Sequence, residues 1–165
     1  MEVAMNGFLL TANFLLTSIT AGVLGGAAMV ASMWLMARAG LFAGEWEPPP
    51  RRSMVVAVGG LITKSRASAF RVGLLAHAVF AIVFAMIYAI VLRWLGAMAL
   101  PASLIVGVAL GFGHGLVVSL GLVWVAEGHP FEEYNDTGLA VGVAHMAAHV
   151  VYGAVVGLVI GLMVL

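Results

Sequence analysis

The stretch Ala144-His145-Met146-Ala147-Ala148-His149-Val150-Val151-Tyr152-Gly153 puts two imidazoles one helical turn apart inside an unbroken apolar run. His77 and His114 lie deep in two further apolar runs, whereas the 7 basic and 7 acidic residues fall in loops, near the N-terminus or at segment ends. A ring that hydrocarbon buries only at a cost marks a functional position by default. Neutral imidazole ligates Zn, Cu, Fe and Ni without a compensating charge. Histidines at i and i+4 share a helix face roughly 6 Å apart, a usable chelating pair. The ligand expected on His77, His114, His145 and His149 is therefore a transition metal (Zn, Cu or Fe) or one haem-type tetrapyrrole. In the haem case one histidine ligates while the others, with Tyr152, hydrogen-bond. The same pair argues against two stacked haems, whose irons would need far greater separation. The plainer alternative is that each ring donates one hydrogen bond across a helix interface, worth about 1 kcal/mol or less.

At 3.6 residues per turn, Gly138, Gly142, His145, His149, Tyr152 and Val156 share one helix face. Gly73, His77, Ala81, Phe84 and Tyr88 share another, and Gly107, His114, Val118 and Gly121 a third. Depth predicts two layers. At 1.5 Å per residue, His77 and His145 fall roughly 10 Å inside the cytoplasmic boundary and His114 and His149 roughly 17–18 Å inside it.

These faces need elements to carry them, and composition names the kind. A chain that is 64% hydrophobic and 8% charged, with mean hydropathy +1.16, is not an ordinary soluble domain. Four stretches, about 8–37, 72–95, 101–126 and 138–165, are long enough to cross a hydrocarbon core. The expected fold is one all-α domain, a polytopic up-down four-helix bundle. The first span is too long for a signal peptide, and Glu2 replaces a basic leader. Zero net charge gives no sign of a nucleic-acid partner, and the lack of cysteine excludes disulfides and thiolate ligands. Arg38, Arg51, Arg52, Lys64, Arg66 and Arg71, six of the 7 bases, lie between spans one and two. That loop is therefore expected in the cytoplasm and both termini outside.

Between those spans, Pro48-Pro49-Pro50 enforces extended chain, and 53–63 is too short to span. It reads as an interfacial or re-entrant piece stopped by Gly59-Gly60. Pro101 suits the first turn of the third span, Gly128 and Pro130 its end, and Asp136 or Thr137 the cap of the fourth. Short loops make spans two, three and four antiparallel neighbours. Small residues such as Gly22, Gly25 and Gly26 allow close helix approach in the first span. A faint repeat aligns Gly22 and Gly26 with Gly107 and Gly111, and Ala76-His77 with Phe84 to Ala144-His145 with Tyr152.

Glu127, His129, Glu132, Glu133 and Asp136 form a loop cluster, read first as a solvated loop and second as a cation-recruiting one. The 10 methionines read as packing, and Tyr88 and Tyr152 as packing residues or as orienters of a histidine. No nucleophile–base arrangement or phosphate loop is present.

The run AHMAAHVVYGAVVG resembles the last helix of bacterial inner-membrane proteins grouped under a domain of unknown function. His77 before a Phe/Tyr-rich run and the glycine-rich first span look similar too. The resemblance implies a four-helix inner-membrane protein with His77 and His145 at the matching positions, and no agreed activity.

The leading expectation is a non-enzymatic small subunit or accessory factor of a larger membrane assembly, in contact with lipid and with other subunits or a second copy of itself. The alternative is a metal-ion or proton transporter or channel component using the histidine layers. A histidine-metal membrane oxidoreductase ranks lowest, because such enzymes need more histidines.

Overall fold

The computed structural model describes residues 2–39, 54–126, 128–135 and 139–163. Pro48-Pro49-Pro50, Arg51, Arg52, Ser53, Glu127, Asp136, Thr137 and Gly138 lie outside them. The protein is all-α: α1 Glu2–Arg38, α2 Met54–Thr63, α3 Arg66–Trp94, α4 Ala102–Ala126 and α5 Leu139–Met163, with one 3₁₀ turn at Glu132–Tyr134. Four of the helices are long and apolar enough to cross a membrane, over Ala12–Met36, Arg66–Trp94, Ala102–Ala126 and Gly142–Met163. The chain therefore has the helices of a multi-pass membrane protein.

Residue sizes are distributed as such a protein requires. The core is largely small: Ala21, Ala81, Ala85, Ala89 and Ala148 are buried. Large side chains such as Leu16, Leu75, Ile105, Val117 and Leu162 point outward. In lipid there is no hydrophobic gain from hiding leucine, so helices associate where small residues let backbones approach. Ser103, Gly107, Gly111, Gly115 and Ser119, every fourth residue of α4, are all buried. Opposite them, Gly107 meets Gly153 and Gly157, Gly111 meets His149 and Gly153, and Gly115 meets Met146 and His149. Rising numbers on α4 meet falling numbers on α5, so this pair is antiparallel. Ser119 Oγ donates to the Gly142 carbonyl at 2.7 Å, tying the far end of the seam.

Helix ends follow local chemistry. Gly96, at φ +66°, closes α3 with its N–H on Arg93 O at 3.1 Å, while the Ala97 N–H reaches Leu92 O at 2.9 Å. That is a Schellman ending, and buried Ala97 and Leu92 supply its apolar contact. At the end of α2, Lys64 takes φ 55° and returns its N–H to Gly60 O at 2.8 Å, the simpler left-handed ending.

Three expectations change. Pro101 precedes α4, and its carbonyl accepts the Ile105 N–H at 3.1 Å, so it acts as the N-cap residue. Gly59 and Gly60 do not stop α2, which runs through both to Thr63. They are helical because they are contact points: a side chain on Gly59 would collide with Ala69 and Gly73, and one on Gly60 with the Phe131 ring. α2 is thus the first arm of a helical hairpin folded back along the start of α3. Third, α3 and α4 are not closely packed neighbours. α3 packs on α1, α1 on α5 and α5 on α4, while α3 and α4 approach each other at few points.

The loop after α4 clamps the α2–α3 hairpin. His129 is buried, its Nδ1 accepting the Phe131 N–H at 3.0 Å and its Nε2–H donating to the Ala57 carbonyl at 2.9 Å. Arg66 forms a bidentate pair with Glu133 and lies 4.4 Å over the Phe131 ring. His129 and Glu133 are therefore fastenings for this loop, the role that a solvated-loop reading misses.

Candidate functional site

Contacts made by the small residues expose a repeat in the architecture. On α1, Gly22 lies against the backbone of Ala81 and Ile82, and Gly26 against the Ala81 side chain. On α4, Gly111 lies against the backbone of His149 and Val150, and Gly115 against the His149 β-carbon. Gly22 and Gly26 thus correspond to Gly111 and Gly115, one turn further along than composition suggests, and Ala81 corresponds to His149. The same register sets His77 against His145, Phe84 against Tyr152 and Tyr88 against Val156.

Gly25 then corresponds to His114, and here the two halves part. Gly25 touches the Tyr152 ring and Val156, so α1 and α5 come together. His114 meets the counterparts of that pair: its ring lies 3.9 Å from Phe84, centroid to centroid and tilted by 31°, and Tyr88 Oη is 3.2 Å from its Nδ1. An imidazole in place of a hydrogen atom keeps α3 and α4 apart. The aromatic cluster fills the difference.

The cluster spans three helices. The His114 and His149 rings meet edge to face at 4.7 Å, and Tyr88 and Tyr152 meet likewise at 5.7 Å. His149 Nδ1–H donates to the His145 carbonyl at 2.7 Å, which leaves the neutral ring a lone pair on Nε2. The buried Tyr88 hydroxyl and His114 Nδ1 share a hydrogen bond of 3.2 Å, whose direction follows the tautomer of the His114 ring. The enclosed Nε2 of His77 has no hydrogen-bond partner among the described residues. His145 is buried on α5.

Of the residues singled out from sequence, His114 and His149 are brought into ring contact. Tyr152 serves another purpose: its hydroxyl donates to the Ala81 carbonyl at 2.6 Å, bracing α5 against α3. Among the described residues, no three His, Asp or Glu side chains are grouped as a metal-binding set. Tyr88 is the orienting tyrosine, and Phe84 the ring on which His114 rests. Their shared face with His77 at helical spacing was the available signal; the contact with His114 was not legible.

No protein-family model, no curated protein and no solved structure matches this chain. Fold and cluster together describe a helical chain built for a bilayer, with a histidine–tyrosine group deep in its apolar segments.

Proposed function

We propose that this chain is a small multi-pass subunit or accessory protein of a membrane assembly, in which the His114–His149 cluster takes up and passes protons. The observation that carries this is the contact of two imidazole rings, each hydrogen-bonded through Nδ1, inside long apolar helices. His149 donates from Nδ1 to the His145 carbonyl and so keeps on Nε2 a lone pair that can take up a proton, while its neighbour His114 is hydrogen-bonded through Nδ1 to the Tyr88 hydroxyl. A proton arriving from outside the pair at the His149 Nε2 lone pair makes that ring an imidazolium, and its departure restores the neutral ring, so no standing charge stays in hydrocarbon between transfers.

In this account the four long helices form an up-down bundle in a bacterial inner membrane, with both termini non-cytoplasmic. The antiparallel α4–α5 seam and the bases between α1 and α3 support it. So does Arg38, which lies 4.1 Å over the Trp34 ring at the end of α1. Cysteines placed at Lys64 and Ala99 should label from opposite faces of the membrane; labelling from one face refutes the topology. Imidazole nitrogen NMR tests the site. His114 and His149 should titrate as a coupled pair, and His149→Phe should reduce that to a single ordinary step. Two independent titrations in the unaltered protein would refute the pairing.

One observation favours a second reading. A histidine that gives its Nδ1–H to a carbonyl and keeps Nε2 free has the orientation of a metal or haem ligand, and His149 is so placed. Stoichiometric metal or a Soret band, lost in His149→Ala, would establish this reading.

A further inference from the structure

We infer that Arg71, near the start of α3, anchors a binding site for the headgroup phosphate of an anionic phospholipid. The inference needs only that α3 crosses a bilayer, and it is independent of proton passage at the histidines. Three observations carry it. First, Arg71 stands on the outer face of α3. Phe70, Leu74 and Leu75 beside it are exposed, whereas Ala69 and Gly73 are buried against α2. A guest that reaches this guanidinium lies along an apolar helix face, which acyl chains cover and a free anion does not. Second, its depth matches the headgroups. α3 has 29 residues, roughly nine more than a core of about 30 Å takes. Trp94, 83% exposed at the other end, marks the far interface. Counted back from Trp94 at 1.5 Å per residue, the core ends near Leu74, and Arg71 falls about 5 Å beyond it, at the level of lipid phosphates.

Third, the positive charge there is uncompensated. Arg66 is engaged by Glu133 in a bidentate pair. Arg71 and Lys64 are exposed and have no acidic partner among the described residues. The planar fork of Arg71 can hold two phosphate oxygens at once. Lys64, about 10 Å further out along the axis, adds a positive field that salt partly screens. Such a site favours a headgroup of net negative charge over a zwitterionic one, whose own cation opposes it.

The test uses the full chain in phosphatidylcholine bilayers carrying a trace of spin-labelled phosphatidylglycerol or spin-labelled phosphatidylcholine, read by electron paramagnetic resonance. The inference expects the protein to hold the labelled phosphatidylglycerol roughly five-fold more strongly, the factor that one base contributes at an anionic surface. Arg71→Gln should bring the two lipids near parity, and Lys64→Gln should lower the preference by less than about two-fold. Arg93→Gln, at the other end of α3, should leave it unchanged. Parity in the unaltered protein overturns the inference, as does a preference that survives Arg71→Gln or falls equally in Arg93→Gln. Displacement of the labelled phosphatidylglycerol by inorganic phosphate would make this a site for free anions and overturn the lipid assignment. If Arg71→Gln fails to fold, phosphorus-31 dephasing of the Arg71 guanidinium nitrogens in the unaltered protein decides: its presence supports the site and its absence overturns it.

Discussion

Gly25 and His114 occupy equivalent places in two repeated helix pairs, yet one closes an interface and the other holds one apart. Gly25 meets Tyr152 and Val156 closely, while His114 rests on Phe84 and shares a 3.2 Å hydrogen bond with Tyr88. The asymmetry is local, because the glycines on either side, Gly22 and Gly26 in one half and Gly111 and Gly115 in the other, keep matching contacts. A single position therefore separates the interface that only packs, α1 on α5, from the one that gathers polar rings, α3 with α4.

The α4–α5 seam should tolerate no added carbon. A β-carbon at Gly153 would run into the Gly107 carbonyl and the Gly111 backbone, with no flexible side chain to yield. Gly153→Ala should therefore destabilise by about 1–3 kcal/mol, the usual cost of overpacking. Gly113→Ala on the open face of α4 should instead gain up to about 1 kcal/mol from reduced chain entropy. Thermal unfolding in detergent compares the two, and equal effects would contradict the assigned contacts.

Removing the Tyr152 hydroxyl should loosen α5 from α3 without touching the histidines. The bond to the Ala81 carbonyl is 2.6 Å and buried, and interhelical bonds in membranes are worth about 0.6–1.7 kcal/mol. Tyr152→Phe should lose stability in that range and leave the imidazole resonances of His114 nearly unmoved. Loss of the His114–His149 coupling in this variant would mean that the Tyr152 hydroxyl, and not only its ring, serves the cluster.

Four spans were legible in the sequence because length and hydropathy decide them. The ridge from Ser103 to Ser119 was only partly so. Its spacing is plain, but α4 is apolar all round, and composition cannot say which small residues face a neighbour and which, like Gly113, face outward. The same lack of contrast shifted the repeat by one turn, since Gly107, Gly111 and Gly115 are interchangeable until their partners on α5 are known. At the site, type and depth picked out His114 and His149, and Tyr88 was read as a packing residue or an orienter of a histidine, but which histidine it would meet was not legible. Tyr152, one turn beyond His149, pointed to the cluster by periodicity, yet its hydroxyl is drawn to the Ala81 carbonyl. Gly59 and Gly60 misled because glycine ends helices as readily as it lets them touch.

The clamp on the α2–α3 hairpin should weaken in acid through one carboxyl. Hydrogen bonding to the Arg66 guanidinium holds Glu133 well below the usual carboxylate range, at about 2. A carboxyl whose folded value lies below its unfolded one, near 4.5, stabilises the fold above that unfolded value. Its contribution is lost as the pH falls from there through about 2. Proteolysis of the 128–135 loop should therefore accelerate across that window, with an acid-stable protease as probe. In Glu133→Gln cleavage should be faster at neutral pH and nearly flat below pH 5; an unchanged acid profile in that variant would assign the effect to another group.

Proton flux across sealed liposomes tests the central claim most directly. Vesicles carrying the unaltered chain and a trapped pH dye should dissipate an imposed pH gradient faster than protein-free vesicles. His114→Phe and His149→Phe should each return the rate to the protein-free level while keeping the unfolding temperature within a few degrees. A rate in the unaltered protein no faster than in bare lipid, or one that survives both substitutions, would contradict proton passage through His114 and His149.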